Sequence, residues 1–220
     1  MTERAAPVVL AATSGTGKTT LARRLLADAD RYVFSISATT RPPRMGEVDG
    51  VDYHFLDEDD FVRRAEEGAF AEWARVHGRY YGTLRSTIDD AAARGQHVVL
   101  DIDVQGAGQI RTAIPDAILI FVVPPSVETM MDRLQGRGTE RRREVARRLR
   151  SAIDELQAVP DFDYVVVNDD LDACLRDIRG IVERGVPPRG AVPDLGAFRE
   201  AIRGLLTEEY HDEQTDQDAR

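Results

Sequence analysis

One eight-residue segment near the start of the chain constrains its fold more than any other feature. Residues 12–19 read Ala-Thr-Ser-Gly-Thr-Gly-Lys-Thr, after an apolar run at residues 7–12 and before a helical pattern at residues 18–27. The segment nearly matches the pattern G-x-x-x-x-G-K-[ST], whose glycines let backbone N–H groups turn inward around phosphate oxygens. The start of a helix adds a favourable dipole for an anion. The sequence therefore predicts a phosphate-binding loop between a buried strand and a helix.

The residue types in this loop suit a nucleoside triphosphate with its magnesium ion. Lys18 should reach the β- and γ-phosphates, and Thr19 should bind Mg²⁺ directly through its hydroxyl. Ala12 stands where the pattern has glycine, which requires Ala12 to have a negative φ. We expect the nucleotide to contact the whole loop and the residue after it, namely Ala12, Thr13, Ser14, Gly15, Thr16, Gly17, Lys18, Thr19 and Thr20.

Composition narrows the setting in which the loop would work. The chain has 220 residues, of which 42% are hydrophobic and 31% charged, as expected of one folded domain. Its net charge of −10 argues against a general nucleic-acid binder. No apolar run approaches the ~18 residues of a membrane span. The single cysteine, Cys174, excludes an internal disulfide and is expected to be a small buried residue. These features predict a cytoplasmic protein.

The remaining pattern alternates between strands and helices. Strands are predicted at residues 7–12, 32–36, 97–102, 117–123 and 164–167. Helices are predicted at residues 18–27, 59–67, 83–94, 105–113, 126–135, 144–158 and 170–183. Strands that are apolar throughout lie inside parallel sheets covered on both faces. After Gly185 the chain reads as a proline-rich linker, a helix at residues 194–206 and an acidic tail expected to be disordered.

A polar stretch between the second and third predicted strands offers candidates for an acceptor site. Arg41 and Arg44 lie on either side of Pro42 and Pro43, which stiffen the chain. Two guanidinium groups on a stiff loop suit a phosphate monoester, because each can form two hydrogen bonds to it. The residues alone leave open the alternative that both arginines are simply solvated at the surface.

Seven further segments carry a resemblance to a known family. They are Ser35–Arg44, Gly46–Phe55, Gly78–Thr83, Leu100–Gly106, Pro124–Ser126, Gly136–Thr139 and Val167–Asp170. In type, order and spacing they resemble the guanylate kinase family of P-loop nucleoside-monophosphate kinases, and the resemblance covers about residues 8–183. The family often carries alanine at the position of Ala12.

The resemblance implies a fold and an activity. The fold would be a three-layer α/β P-loop NTPase fold with a parallel core sheet, within a domain spanning residues 7–184. A GMP-binding subdomain would span about residues 37–94 and a lid about residues 137–145, with residues 185–220 as an extension. The activity would be ATP-dependent phosphorylation of GMP to GDP with Mg²⁺, by positioning and electrostatic stabilisation. The partners would be ATP and GMP, not nucleic acid or membrane.

The resemblance also implies individual roles. The GMP phosphate would be held by Arg41, Arg44, Tyr53 and Tyr81, and the guanine would be read by Ser37, Glu72 and Thr83. Asp101 and Asp103 would lie near the acceptor nucleotide, where they could bond it or bind Mg²⁺ through water. The role of Glu72 agrees with chemistry, because a carboxylate can accept the N1 and N2 donors of guanine together and adenine lacks that pair.

Arginines between residues 133 and 150 complete the implied site. Arg137 and Arg148 match family positions that contact ATP phosphates, and with Lys18 and Arg41 they would supply the catalytic positive charge. Asn168 matches a position near the adenine. Relatives commonly have acidic residues where Arg141, Arg142 and Arg143 stand. These three and Arg150 are better explained as the solvated face of a helix.

Two other functions compete with this prediction. Guanylate-kinase-like domains in scaffolding proteins bind peptides without catalysis, but they usually degrade the phosphate loop, which is intact here. A related P-loop kinase acting on a phosphorylated sugar would not need Glu72 and Ser37. Nothing in the sequence sets the oligomeric state.

Overall fold

The computed structural model describes residues 5–135 and 142–209. Contacts between residues divide the chain into two compact units. The first comprises the described residues up to Leu10 together with Ala22–Leu119, and the second comprises Ala11–Leu21 and the described residues from Ile120 onward. The predicted lid residues 137–141, including Arg137 and Arg141, and the tail after residue 209 lie outside the described ranges.

Strands and helices alternate along most of the described chain. The strands are β1 (Val8–Ala12), β2 (Tyr32–Phe34), β3 (Ala38–Thr39), β4 (His54–Phe55), β5 (Phe70–Val76), β6 (Arg79–Leu84), β7 (His97–Asp101), β8 (Ile118–Val123) and β9 (Tyr164–Val167). The α-helices are α1 (Lys18–Leu25), α2 (Glu58–Glu66), α3 (Arg85–Ala93), α4 (Val104–Ala113), α5 (Val127–Gln135), α6 (Arg142–Gln157), α7 (Leu171–Arg184) and α8 (Leu195–Glu209).

Parallel strands form the core of both units. In the first unit β2 and β1 both pair in parallel with β7, and the Ile118 N–H at the start of β8 donates to the Pro7 carbonyl at 2.8 Å. In the second unit β8 pairs in parallel with β9. Strands β1, β7 and β8 bury most of their side chains, in agreement with their largely hydrophobic sequences. The predicted α/β fold with a parallel core sheet is confirmed.

A second sheet in the first unit carries most of the acceptor stretch. Its strand order is β4-β3-β6-β5, and both β3 and β5 pair with β6 in antiparallel fashion. Its apolar side rests on Phe61 of α2, whose ring stacks on Phe70 with centroids 4.3 Å apart. Asp57 caps α2 by accepting from the Asp60 N–H at 2.7 Å.

The hairpin of β5 and β6 corrects the sequence-based prediction, which had no strand here and began a helix at Thr83. Thr83 belongs to β6, and α3 begins only at Arg85. A two-residue turn joins the strands: His77 and Gly78 both have positive φ, 48° and 78°. A tight hairpin turn needs that geometry, and glycine adopts it readily. The Gly at position 78 between two β-prone runs was therefore the available signal.

Helix α8 ties part of the extension after Gly185 to the second unit. Asp194 accepts from the N–H groups of Gly196 and Ala197 at 2.9 and 3.0 Å, which starts the helix. The helix packs against α5 and α6 and buries Phe198 and Ile202. It begins one residue after the predicted start at 194 and runs three residues past the predicted end at 206.

We expect Ile202→Ala to lower the free energy of unfolding by about 2–4 kcal/mol, because Ile202 lies on the packed face of α8 and is fully buried. Val192, on the chain leading to α8, is 41% exposed, and Val192→Ala is the matched control with an expected change below about 0.5 kcal/mol. Urea unfolding of both variants gives the comparison. Equal stability of Ile202→Ala and wild type would mean that α8 does not pack on the second unit in solution.

The single cysteine and the helices bear on two further expectations. Cys174 in α7 is 1% exposed, and burial raises the pKa of its thiol to about 12, so it is an inert core residue as predicted. Among the described residues, no helix combines the length and the apolar character needed to cross a membrane.

Candidate functional site

The phosphate-binding loop joins β1 to α1 in the second unit. Gly15 and Gly17 have φ of 84° and 82°, which an L-residue rarely adopts, so both glycines are required by the backbone. The Thr16 hydroxyl donates to the Thr13 carbonyl at 2.9 Å and closes the turn. His77 is the one described non-glycine residue with positive φ, so Ala12 has the negative φ that its presence in the pattern requires.

A cavity of about 730 Å³ surrounds this loop, and we call it the phosphate-loop cavity. It is lined by residues 12–20 together with Arg133, Arg148, Glu155, Asn168 and Leu171. All the predicted ATP-contacting residues within the described ranges therefore border one space. Arg133 was not among the predicted ones, because an arginine on an amphipathic helix reads from sequence as a solvated side chain.

Asn168 and Arg133 hold the phosphate-binding loop through two successive hydrogen bonds. Asn168, just after β9, is 4% exposed, and its Nδ2 donates to the Thr16 carbonyl at 2.5 Å. Arg133 Nη1 in turn donates to the Asn168 carbonyl at 3.0 Å. A side chain on Gly17 would meet Asn168 Nδ2 at 3.0 Å. In this structure Asn168 thus contacts the loop itself, in addition to bordering the cavity that the resemblance assigns to ATP.

The charges around the cavity favour a polyanion. Lys18, Arg133 and Arg148 contribute positive charge, and Glu155 is the one carboxylate among the described lining residues. The N-terminus of α1 points its first backbone N–H groups toward the same loop. The arrangement can hold the phosphates of a nucleotide.

In the first unit, Arg41 is held in a fixed orientation beside two aromatic rings. Its Nη2 lies 2.9 Å from Glu47 Oε1, and its guanidinium carbon is 5.3 Å from the centroid of Tyr53 and 5.8 Å from that of Phe55. The hydrogen bond to Glu47 raises the pKa of Arg41, and the same bond lowers the pKa of Glu47. The nearby Tyr81 also contributes to the raised pKa of Arg41, and its ring packs on that of Tyr53, so three of the predicted phosphate-binding residues are neighbours.

Glu47 also organises the loop around Arg44. Its Oε2 accepts from the Arg44 backbone N–H at 2.7 Å, so one carboxylate holds the side chain of Arg41 and the main chain at Arg44. The Arg44 side chain is exposed. The Tyr53 and Tyr81 rings meet edge to face, with centroids 6.2 Å apart. Glu47 lies inside a motif of the family resemblance, but its contact with Arg41 was not predicted.

Glu72 and Thr83 form a buried polar pair on the second sheet. They lie opposite each other on β5 and β6, are 7% and 0% exposed, and the Thr83 hydroxyl donates to Glu72 Oε1 at 2.6 Å. Burial raises the pKa of Glu72, the Thr83 hydrogen bond opposes that rise, and the charge of Asp103 adds to it. Ser37, the third predicted base-reading residue, precedes β3 and is partly buried.

The two predicted aspartates lie at and just beyond the end of β7. Asp101 is the last residue of that strand, and Asp103 caps α4 by accepting from the Gly106 N–H at 2.8 Å. Asp103 therefore has a structural function as an N-cap, besides its electrostatic effect on Glu72. Within the described residues there is no cluster of three or more His, Cys, Asp or Glu side chains arranged around a metal position.

Comparison with known proteins points to one family. The sequence model described as guanylate kinase matches residues 4–185. The chain is 43% identical over 204 residues to guanylate kinase of Symbiobacterium thermophilum, covering 92% of this chain and 96% of the relative. It is 49% identical over 174 residues to guanylate kinase of Neisseria meningitidis serogroup A, covering 79% and 85%. The crystal structure of guanylate kinase from Anaplasma phagocytophilum aligns with a TM-score of 0.62 at 30% identity, covering 93% and 95%.

Proposed function

The chain belongs to the guanylate kinase family, and we infer from this membership that it transfers a phosphoryl group from ATP to GMP, giving ADP and GDP. A phosphate-binding loop is common to many nucleotide-binding proteins and does not identify the acceptor. The observation that best supports GMP as the acceptor is the buried Glu72 carboxylate, held by the Thr83 hydroxyl at 2.6 Å.

ATP binds in the phosphate-loop cavity in this proposal. The backbone N–H groups of residues 13–19 and the Lys18 ammonium hold the β- and γ-phosphates. Mg²⁺ prefers oxygen ligands and is usually held by one or two protein oxygens together with substrate phosphates. Thr19 offers a hydroxyl in the first turn of α1 at the cavity wall, so the residues present fit this ion. When bound, Mg²⁺ neutralises negative charge on the phosphate oxygens.

The phosphate of GMP binds where Arg41, Tyr53 and Tyr81 meet, with Arg44 closing from the exposed side. The hydrogen bond from Arg41 to Glu47 supports this role, since it limits the rotamers of Arg41 before substrate arrives. Less conformational entropy is then lost on binding.

Guanine binds against Glu72, Thr83 and Ser37. Its N1 and N2 donors both face the Glu72 carboxylate, while adenine presents an acceptor at N1. AMP would therefore leave the buried carboxylate with the Thr83 hydroxyl but without the two donors that guanine supplies, and incompletely paired buried charges are costly. Burial raises the pKa of Glu72, so two N–H donors that stabilise its charged form would be bound favourably there. Asp101 and Asp103 assist near the same nucleotide.

The reaction itself needs positioning and positive charge, with no covalent intermediate on the protein. Lys18, Arg41, Arg137 and Arg148 supply that charge around the migrating phosphoryl group. In this proposal residues 7–184 form the kinase domain, with residues 37–94 for GMP, a lid at residues 137–145 and an appended segment at residues 185–220. We also propose a cytoplasmic location, where ATP and GMP are both available.

A panel of acceptor nucleotides tests this function. With ATP and Mg²⁺, a coupled assay of ADP release should give turnover with GMP and a kcat/KM at least about 10³-fold lower with AMP, UMP and CMP. Comparable turnover of GMP and AMP would contradict the assignment of Glu72. Tight binding of ATP and GMP in calorimetry without turnover would indicate a binding module, and no effect of GMP at all would favour a sugar-phosphate acceptor.

A further inference from the structure

Strand β5, which carries Glu72, lies at the edge of the second sheet. One side of β5 pairs with β6, and the other side faces α4. An edge strand presents backbone groups that its own sheet does not satisfy. At Trp73, the residue after Glu72, the backbone N–H and the backbone carbonyl are both bound by the side chain of Gln109.

The Gln109 amide binds Trp73 twice. Its Oε1 accepts from the Trp73 N–H at 3.0 Å, and its Nε2 donates to the Trp73 carbonyl at 3.0 Å. Only one orientation of the amide satisfies both bonds, so the contact has a defined geometry. It resembles a single step of strand pairing, supplied by a helix side chain in place of a neighbouring strand.

The same face of α4 lies close to Glu72. Asp103, Gly106 and Gln109 follow each other at intervals of three residues and therefore share one face at the start of the helix. A side chain on Gly106 would come within 3.3 Å of Glu72 Oε2, so the helix backbone approaches the carboxylate closely. This face of α4 thus meets the side chain of Glu72 at one step and the main chain of Trp73 at the next.

Strand β5 needs such a support because its pairing is irregular at this point. The register with β6 shifts between Phe70 and Glu72, which leaves one extra residue, Ala71, in β5. A bulge of this kind re-aims the side chain that follows it and loosens the ladder locally. Thr83 holds the Glu72 carboxylate from the β6 side, and Gln109 holds the adjoining backbone from the α4 side.

We propose that Gln109 is a positioning residue for guanine recognition, fixing β5 against α4 so that the Glu72 carboxylate meets both N–H donors of the base. The inference rests on the proposed function of Glu72 and deepens it. Recognition groups must be held within about 0.5 Å of the productive geometry, and their supports determine whether they are. Gln109 does not itself touch the nucleotide in this account.

The test compares Gln109→Met with wild type, using GMP and IMP as acceptors. Methionine keeps the length and bulk of glutamine but forms neither hydrogen bond. IMP retains the N1 donor and lacks the 2-amino group, so the ratio of kcat/KM for GMP over IMP reports how well the carboxylate meets both donors. We expect the KM for GMP to rise roughly five- to ten-fold, the GMP-to-IMP ratio to fall by a similar factor, and the KM for ATP to stay unchanged.

Two variants serve as comparisons. Thr112→Ala removes an exposed hydroxyl from the next turn of α4, where it bonds to the Gly108 carbonyl of its own helix, and should leave all three constants unchanged. Glu72→Gln measures the effect of the carboxylate itself on the same GMP-to-IMP ratio.

The outcomes distinguish a failure of the positioning proposal for Gln109 from a failure of the proposed guanine site at Glu72. If Gln109→Met lowers the melting temperature but keeps the GMP-to-IMP ratio, Gln109 is purely structural and the inference is wrong. If Glu72→Gln also keeps that ratio, the proposed guanine site is wrong as well. If Glu72→Gln lowers the GMP-to-IMP ratio while Gln109→Met has the same kinetic constants as Thr112→Ala, only the positioning function of Gln109 is wrong.

Discussion

Replacing Lys18 by methionine should lower kcat by roughly 10³-fold, because it removes a positive charge from the phosphates whose negative charge must be stabilised during transfer. GMP binding measured by calorimetry in the absence of ATP should not change, since the predicted GMP contacts are all made by other residues. Arg23→Met is a matched control, because Arg23 is an exposed cation on the same helix, α1. Its kcat should equal that of wild type.

The composition of the chain makes a second substitution informative. The sequence has 28 arginines and a single lysine, and that lysine is Lys18. Every other cationic side chain is a guanidinium, so charge alone does not explain the residue at position 18. An ammonium is a compact point charge on a flexible stem, whereas a guanidinium is broad and planar. The Thr16–Thr13 and Asn168–Thr16 hydrogen bonds hold the backbone of the loop, so a guanidinium at position 18 would extend from the same point with a different length and shape.

Lys18→Arg should therefore lose most of the activity despite its retained charge, by about 10²-fold in kcat. Near-normal turnover of Lys18→Arg would show that charge suffices and that the shape of the loop does not select lysine. An independent measurement is available because Lys18 carries the only side-chain amine. An amine-selective reagent should modify Lys18 and inactivate the enzyme, and ATP should protect both the residue, as read by mass spectrometry, and the activity.

The elements around Lys18 were also the ones that the sequence predicted best. A buried strand, a glycine-rich turn and a helix follow one another directly in the chain, so each is specified by neighbouring residues. The parallel core was predictable for the same reason, since β8 is apolar throughout and β7 has the apolar centre Val98–Leu100. Resemblance to the family then supplied Glu72 and Thr83, whose chemistry no local pattern reveals, and chose the phosphate-binding interpretation of Arg41 over the solvated one.

The features that were missed depend on contacts between residues distant in the sequence. The β5–β6 hairpin has a mixed polar composition, and its buried polar residues Glu72 and Thr83 are paired by a hydrogen bond across the strands, with α4 close to Glu72. Arg133 lies on an ordinary amphipathic helix. Its support of the phosphate loop is visible only in the structure, where it donates to the carbonyl of Asn168, 35 residues further along the chain. Gln109 is likewise an exposed helical glutamine until its two bonds to Trp73 are seen.

Glu72→Gln should have the largest effect on the choice of acceptor. The substitution preserves shape and can still accept from the Thr83 hydroxyl, but it replaces one carboxylate oxygen with an N–H donor that opposes a donor of guanine. Loss of a charged hydrogen bond and creation of a donor–donor contact should lower kcat/KM for GMP by roughly 10²- to 10³-fold. The KM for ATP should not change.

Glu72→Gln should also reduce the discrimination between GMP and AMP by improving the turnover of AMP. A glutamine amide can donate to N1 of adenine and accept from its 6-amino group, so turnover of AMP should rise while turnover of GMP falls. The ratio of the two kcat/KM values, measured in the same coupled assay, is the readout. Thr112→Ala, on the solvent-exposed side of α4, is the control and should keep the wild-type ratio.

The same substitution should stabilise the nucleotide-free protein against unfolding. The direction of this effect, and its dependence on pH, follow from the raised pKa of Glu72. Burial raises the pKa of Glu72 in the folded state above its unfolded value, so the charged carboxylate opposes folding at pH values above the unfolded pKa. The melting temperature of Glu72→Gln should therefore exceed that of wild type at neutral pH, and the gain should disappear in acid, where Glu72 is protonated in both states. A variant that lost GMP selectivity without this gain would mean that Glu72 is not held as a buried charge. A gain in stability combined with lost selectivity would show that this carboxylate is retained for guanine recognition at the expense of stability.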